Sequence, residues 1–246
     1  AEDHGLATGL VSTSAITHAT PAAFIAHNES RYNYEEIATD FLKTDIDVFI
    51  GGGLDHFEKR SDGRDLVAEL EQKGYQIVRS QEAFTQVESG KLAALTNPLH
   101  TERIRERGKY LEAATRTALA ILDNDPEGFF LMVEGSLVDF GGHAASTIYV
   151  VEETLDFDRA VGVALEFAAQ NKETLVIVTA DHETGGMAVL NGDESTGRVE
   201  ASFATHAHTG LLVPLMVFGP GSSAFTGFID NTELNQLMRA ALFGKD

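Results

Sequence analysis

The sequence contains no cysteine, and no run of eighteen apolar residues occurs in its 246 positions. The absence of cysteine excludes a disulfide framework, and the absence of a long apolar run leaves no candidate for a membrane-spanning helix. The first residues also lack the charged and then apolar segment that is typical of a signal peptide. Composition alone therefore leaves the cellular compartment open.

Basic residues are scarce. The chain has 18 lysines and arginines against 38 aspartates and glutamates, which gives a formal net charge of −20 at pH 7. Such a charge is repelled by nucleic-acid phosphates and by anionic lipids, so we expect neither nucleic acid nor a membrane as a partner. We interpret most of the acidic residues as a source of solubility. Bound divalent cations would offset part of the excess.

Strand-like and helix-like patterns alternate along the chain, which predicts an α/β protein with a mostly parallel central sheet flanked by helices. No linker or internal repeat interrupts the pattern, so we expect a single domain over residues 1–246. Strands are predicted at 8–13, 47–52, 75–80, 129–135, 174–180 and 213–219. Helices are predicted at 34–42, 65–74, 102–122, 144–170 and 231–242, the last with Asp230 as its N-cap.

Side chains that can bind metals lie at the ends of several predicted strands. Glu134 ends the fourth strand, Asp181 and His182 follow the fifth, and His208 comes shortly before the sixth. In open parallel sheets, ligands bind at the carboxyl ends of the strands, where loops converge. Carboxylates and imidazoles suit zinc, whereas an all-oxygen site suits magnesium. The sequence offers ligands for both.

Each of these residues also has an ordinary structural explanation. The spacing of Asp139 and His143 often arises by chance. Asp181 suits a helix N-cap, and His182 suits a hydrogen-bonded position in the core. Taken alone, His208 is an ordinary loop histidine. Their joint placement at strand ends is what favours a metal site.

Four segments carry a family resemblance: "THATPAAFIAHNESR" (17–31), "VEGSLVDFGGH" (133–143), "TADHETGG" (179–186) and "HTG" (208–210). In this order they resemble the alkaline phosphatases, over essentially the whole chain. In that family a serine attacks the phosphomonoester, two zinc ions activate the serine and the leaving oxygen, a magnesium ion lies nearby, and an arginine holds the phosphate. The resemblance therefore implies an alkaline phosphatase-like fold and phosphomonoester hydrolysis.

The same resemblance implies a ligand set. It consists of Asp139, His143 and His208 for the first zinc, Asp181 and His182 for the second zinc, and Thr20 and Glu134 for magnesium. Two metals about 4 Å apart can stabilise both the attacking and the leaving oxygen of a phosphoryl group. The implied cofactors are two zinc ions and one magnesium ion.

Arg31 matches the phosphate-binding arginine of the family, and a planar guanidinium can bind two phosphate oxygens at once. From sequence alone, a surface ion pair with Glu29 or Glu36 is the simpler explanation for Arg31. His18 occupies a position that varies in the family: it either hydrogen-bonds through water to the magnesium shell or the phosphate, or is a polar loop residue. Phe140 also varies, and it lacks the cationic or hydrogen-bonding group that some relatives have there.

The family's catalytic serine lies in an Asp-Ser-Ala motif, which does not occur in these 246 residues. Ser14 lies just upstream of the "HATPAAF" segment and is not expected to be the nucleophile. We therefore expect the chain to correspond to the C-terminal two-thirds of an alkaline phosphatase. Three functions stay open: a metal-dependent phosphomonoesterase, a non-catalytic metal- or phosphate-binding fragment that needs a missing segment, and a sulfatase or phosphodiesterase of the same superfamily.

The resemblance also implies partners and a location. The expected small-molecule ligands are phosphate monoesters and inorganic phosphate, and the expected assembly is a homodimer. The implied location is periplasmic or extracellular.

Overall fold

The computed structural model describes residues 1–244, and its largest element is a five-stranded parallel sheet. The strands of this sheet are β1 (Ala7–Ala15), β2 (Val48–Gly52), β3 (Gln76–Val78), β4 (Leu92–Leu95) and β5 (Phe129–Glu134). They lie in the order β3-β4-β2-β1-β5, and every pairing is parallel. The predicted α/β class with a mostly parallel sheet is confirmed.

Six further strands form three antiparallel pairs. They are β6 (Val176–Val178), β7 (Glu183–Thr184), β8 (Ala188–Asp193), β9 (Arg198–Ser202), β10 (His208–Thr209) and β11 (Met216–Phe218). The pairs are β6 with β11, β7 with β10, and β8 with β9. The last two predicted strands, 174–180 and 213–219, are thus found as the three-residue strands β6 and β11.

Ten α-helices lie among the described residues. They are α1 (Ala19–Ala22), α2 (Tyr34–Asp40), α3 (Leu54–Glu58), α4 (Leu66–Gln72), α5 (Gln81–Phe84), α6 (Ile104–Arg107), α7 (Tyr110–Leu122), α8 (Leu137–His143), α9 (Thr147–Asn171) and α10 (Asn231–Phe243). The predicted N-cap of the last helix is confirmed, since the Asp230 side chain accepts a hydrogen bond from Thr232 N–H. The single predicted helix at 102–122 is wrong: Gly108, with φ 62°, ends α6 before α7 begins.

The sheet buries alternate residues of its strands on two faces. On one face, Val11 and Ile50 pack with residues of α7, including Leu111. On the other face, Leu10 and Phe49 pack with residues of α2 to α4 and of the loops that follow them. Because both faces are covered, β2 and β4 are apolar throughout, as is typical of parallel sheets, whereas β1 ends in a buried run of hydroxyl residues.

The described chain divides into two compact units. The sheet unit comprises 1–138 and 152–160, and the second unit comprises 139–151 together with the described residues from 161 onward. No helix within residues 1–244 is long and apolar enough to cross a membrane.

A buried ion-pair cluster fixes the short helix α6 in the sheet unit. The Arg107 guanidinium donates to Glu153 over 2.5 Å and to Asp156 over 2.6 Å, and all three side chains are at most 4% exposed. Glu153 also accepts from the backbone N–H of Ile104. Burial alone would lower the pKa of Arg107, but the two carboxylates outweigh it and hold that pKa above its usual value. The cluster is therefore charged, and both of its carboxylates are paired with Arg107.

Candidate metal centre

Two of the predicted ligands lie on one helix, α8. Asp139 and His143 are four residues apart and therefore share one face of the helix. Gly142, which lies between them, is buried. A Cβ atom at this position would lie 2.6 Å from the backbone oxygen of Thr184. The absence of a side chain at Gly142 therefore lets α8 approach β7 closely.

The strand pair β7–β10 positions the third ligand, His208. In this pair His208 lies directly opposite Thr184. Just beyond the pair, the backbone N–H of Gly185 donates to the carbonyl oxygen of Ala207 over 3.0 Å. The ring of His208 stacks on that of His182, with the ring centroids 3.5 Å apart. A backbone ladder and a ring contact thus hold the imidazole of His208.

Asp139, His143 and His208 bring three ligand atoms together. His143 Nε2 lies 3.2 Å from His208 Nε2, and Asp139 Oδ1 lies 3.4 Å from the first nitrogen and 3.5 Å from the second. A tetrahedral zinc site with metal–ligand bonds of about 2.0–2.1 Å has edges of about 3.3–3.4 Å. The donor set and its spacing therefore fit zinc.

The tautomer of His143 is set by a contact outside this group. Its Nδ1 lies 2.6 Å from the carbonyl oxygen of His206. Because a carbonyl oxygen can only accept, Nδ1 carries the proton and donates it. In the neutral ring Nε2 then has a free lone pair, which is the form that binds a metal.

A chain of hydrogen bonds connects Asp139 to the second predicted ligand pair. Thr184 Oγ1 donates to Asp139 Oδ1 over 2.5 Å and lies 3.2 Å from His182 Nδ1. Since the single hydroxyl proton goes to the carboxylate, His182 Nδ1 is the donor in the second contact. In the neutral ring Nε2 is then unprotonated, and it faces Asp181 Oδ2 at 3.2 Å. Two ligand atoms this close could bind the same metal ion.

The structure therefore brings all five predicted zinc ligands together within the second unit. Potential ligand atoms of Asp139, His182 and His208 all lie within 4.8 Å of one another. The other two predicted ligands lie next to this group. His143 Nε2 is 3.2 Å from His208 Nε2, and Asp181 Oδ2 is 3.2 Å from His182 Nε2.

Sequence reasoning gave no role to Glu183, which shapes the loop after His182. Its carboxylate accepts hydrogen bonds from the backbone N–H groups of Gly186 and Met187 and from the hydroxyl of Thr209. Burial raises the pKa of Glu183, but these three hydrogen bonds outweigh it and hold the pKa below its usual range. An ionised Glu183 thus closes the turn that carries the glycines of "ETGG".

The predicted magnesium ligand Glu134 lies at the end of β5 in the sheet unit. Its Oε2 accepts from Ser12 Oγ over 2.7 Å. Ser12 Oγ also lies 2.8 Å from the hydroxyl oxygens of Ser14 and Ser136. All three serines are buried. Ser14 is thus part of a buried hydroxyl cluster, in agreement with the prediction that it is not the nucleophile.

The remaining predicted residues lie on and after β1, also in the sheet unit. Arg31 is exposed, and its guanidinium lies 3.4 Å from His18 Nε2. Among the described residues no ion pair joins Arg31 to Glu29 or Glu36, and Glu36 accepts instead from Asn28. The surface ion pair is therefore not found among the described residues, and the phosphate-binding role of Arg31 stays a prediction. Thr20 is half-buried in α1.

The five-stranded parallel sheet flanked by helices defines an α/β protein, and the second unit gathers carboxylates and histidines that could hold a metal ion. The family model "Alkaline phosphatase" matches residues 1–199. The chain belongs to the alkaline phosphatase family.

Curated relatives support this assignment. The chain is 39% identical over 205 residues to alkaline phosphatase 4 of Bacillus subtilis (strain 168). This alignment covers 79% of this chain and 44% of the relative. It is 31% identical over 322 aligned residues to alkaline phosphatase 3 of the same organism, with 98% of this chain and 69% of the relative covered. The chain thus spans between about half and two-thirds of these relatives.

Solved structures share the fold. Alkaline phosphatase from the Antarctic bacterium TAB5 superposes with a TM-score of 0.93 at 38% identity, covering 100% of this chain and 74% of that one. A mutant of the TAB5 enzyme has been solved with Mg bound in its M3 site. The cold-active enzyme from Shewanella sp. gives a TM-score of 0.90 at 28% identity, covering 98% of this chain and 77% of that one.

Proposed function

We propose that this chain carries most of the metal- and phosphate-binding residues of an alkaline phosphatase, a phosphomonoesterase that uses two zinc ions and one magnesium ion. One observation carries the proposal most directly: three ligand atoms of Asp139, His143 and His208 lie 3.2–3.5 Å apart. This spacing matches the edges of a tetrahedral zinc site. Asp181 and His182 would hold the second zinc, and Thr20 and Glu134 would contribute to magnesium binding.

The protein's own residues would bind and orient the phosphate. Arg31, whose charge is not neutralised by Glu29 or Glu36, would hold two phosphate oxygens through its planar guanidinium. His18 would hold the Arg31 side chain by accepting from it, or would bind the phosphate through water. Bound zinc would supply Lewis-acid stabilisation of charge on the reacting oxygens. Phe140 adds no cation to the site, so Arg31 would be the main cationic side chain of this set.

Zinc binding gives the first test. After loading with zinc and removal of excess metal, elemental analysis should find one to two zinc ions per chain, since five ligands are present. His208→Ala should lower the retained zinc by about one ion, because it leaves a two-residue site. His27→Ala, at an exposed position of the sheet unit, is the matched control and should retain as much zinc as the unmodified chain. No zinc in a folded sample would contradict the proposal.

Phosphate binding gives the second test. Calorimetric titration of the zinc-loaded chain with inorganic phosphate should show binding that Arg31→Ala weakens. Arg31→Lys should be intermediate, because lysine keeps the charge but not the paired N–H geometry. Arg79→Ala removes another exposed arginine, one that pairs with Glu58, and should leave phosphate affinity unchanged. Equal affinity in all variants would remove the role of Arg31.

Hydrolysis separates an active enzyme from a binding fragment. Because the 246 residues contain no Asp-Ser-Ala motif, we expect zinc-dependent hydrolysis of a phosphomonoester orders of magnitude slower than that of a complete alkaline phosphatase. Asp181→Ala is the control for contaminating activity. Sulfate esters and phosphodiesters, assayed alongside, should be poorer substrates. Turnover equal to that of the complete enzyme would show that another residue of this chain is the nucleophile.

Assembly and location follow from the family alone. We propose a homodimer in the periplasm or outside the cell. Analytical ultracentrifugation tests the first part, and fractionation of the source cells tests the second.

A further inference from the structure

Two histidines that are 63 residues apart in sequence exchange hydrogen bonds. His143 Nδ1 lies 2.6 Å from the carbonyl oxygen of His206, and His206 Nδ1 lies 2.9 Å from the carbonyl oxygen of His143. Both partners are carbonyl oxygens, so both Nδ1 atoms carry a proton and donate it. We call this arrangement the His143–His206 clasp. No role for His206 follows from the family motifs.

The clasp lies at the C-terminal end of a helix. His143 is the last residue of α8, where backbone carbonyls lack partners within the helix. The next turn cannot continue the helix, because Ala145 has a positive φ of 47°. The ring Nδ1–H of His206 therefore donates to the carbonyl oxygen of His143, at the point where the chain leaves α8. This fixes the backbone of the ligand His143 as well as its ring.

The segment that carries His206 is also held on its other side. The N–H of Thr205 donates to the carbonyl oxygen of Gly185 over 3.1 Å, and the N–H of Gly185 donates to Ala207 over 3.0 Å. His208, the next ligand, follows directly. The clasp thus joins the segment around His208 to the end of α8, and the Gly185 bonds join it to β7.

We propose that His206 is a positioning residue for zinc, which sets the tautomer of His143 and keeps the Nε2 atoms of His143 and His208 together. The inference rests on the proposed zinc site. Without the His206 donor, the segment 205–207 keeps its hydrogen bonds to Gly185 but loses one of its two bonds to His143, so the remaining contact between His143 Nδ1 and the carbonyl oxygen of residue 206 is weakened. Partners outside the ligand set typically change metal affinity by about 10- to 100-fold when removed.

The test compares variants that differ in the donor. His206→Phe keeps a ring but has no N–H, whereas His206→Asn keeps an amide N–H close to the position of Nδ1. His206→Ser is a second variant that cannot reach the carbonyl, for use where the phenylalanine variant does not fold. His27→Phe, at an exposed position of the sheet unit, is the matched control.

Two measurements decide the inference. In the metal-free chain, ¹⁵N NMR should show the Nδ1–H tautomer of His143 in the unmodified protein and in His206→Asn, and a mixture of tautomers in His206→Phe. In competition with a zinc chelator, His206→Phe should bind about tenfold more weakly, and His206→Asn and His27→Phe should be close to the unmodified chain. A folded His206→Phe with an unchanged tautomer and unchanged zinc affinity would overturn the inference. If the unmodified chain binds no zinc, the proposed function fails, and the tautomer measurement still decides whether His206 positions His143.

Discussion

Gly142→Ala tests how closely α8 must approach β7. An added Cβ would lie 2.6 Å from the backbone oxygen of Thr184 and 2.9 Å from its Cβ and Cγ2 atoms. The backbone oxygen and the Cβ atom of Thr184 cannot move away by side-chain rotation, because both are fixed by the backbone of β7. The substitution must therefore shift Thr184, which donates to Asp139.

Two opposing contributions set the magnitude. Alanine is favoured over glycine within a helix by about 0.5–1 kcal/mol. Overpacking a tight contact costs about 1–3 kcal/mol. The difference predicts that Gly142→Ala lowers the free energy of unfolding by about 1 kcal/mol. Displacement of the Thr184 hydroxyl from Asp139 should also weaken zinc binding, by about tenfold.

Gly162→Ala is the matched control. Gly162 lies within α9, and a Cβ atom at this position meets nothing within 4 Å. Gly162→Ala should gain only the helix preference of alanine over glycine, so the free energy of unfolding of this variant should rise by about 0.5–1 kcal/mol. For both variants, urea unfolding measures the free energy of unfolding, and competition with a chelator measures the zinc affinity. The argument for a required close approach is wrong if Gly142→Ala stabilises the protein as much as Gly162→Ala does.

Three other substitutions test separate features. Thr184→Val removes the donor to Asp139 at nearly constant shape and should weaken zinc binding about tenfold, whereas Thr184→Ser should bind normally in the same chelator assay. Arg107→Met removes the buried cation that contacts both Glu153 and Asp156 and should lower the free energy of unfolding by about 3–5 kcal/mol; the control Arg105→Met, at an exposed ion pair, should cost at most about 1 kcal/mol. Burial raises the pKa of Asp47, so its ionised form is disfavoured in the folded protein. Asp47→Asn should therefore increase stability at pH 7, and unfolding at lower pH should show this gain shrinking as Asp47 becomes protonated; a gain independent of pH would contradict it.

The long strands could be predicted because they are buried on both faces. β2, and β5 up to Glu134, appear as continuous apolar runs, which is the pattern of a covered parallel sheet. β1 mixes apolar residues with hydroxyl residues. β4 was missed, since its sequence, Leu-Ala-Ala-Leu, favours a helix in isolation. Its strand conformation comes from pairing with β2 and β3, which are distant in sequence.

The proposed zinc ligands could be selected from motifs because each motif is local. The hydrogen bonds that orient these ligands could not be predicted in this way. Thr184 lies 45 residues from Asp139, and His206 lies 63 residues from His143. Neither contact has a local sequence pattern, since each depends on how β7 and the segment after β9 pack against α8. Glu183 was missed for a related reason: its carboxylate bonds to backbone N–H groups, which every residue except proline provides.

The proposed zinc ligands lie in the part of the chain with the smaller apolar core. Among the described residues of the second unit, only Val163, Ala168 and Phe225 are buried hydrophobic residues, whereas the two large core clusters belong to the sheet unit. Each hydrogen bond around the ligands contributes only about 1 kcal/mol. Metal binding to such a unit is coupled to its folding, and free zinc at 100 times its Kd adds about 2.7 kcal/mol of stability. The hydrogen bonds of Thr184 to Asp139 and His182 and the His143–His206 clasp therefore act where hydrophobic packing contributes least. For this reason, changes at residues that do not contact the metal should alter the affinity of the site for zinc.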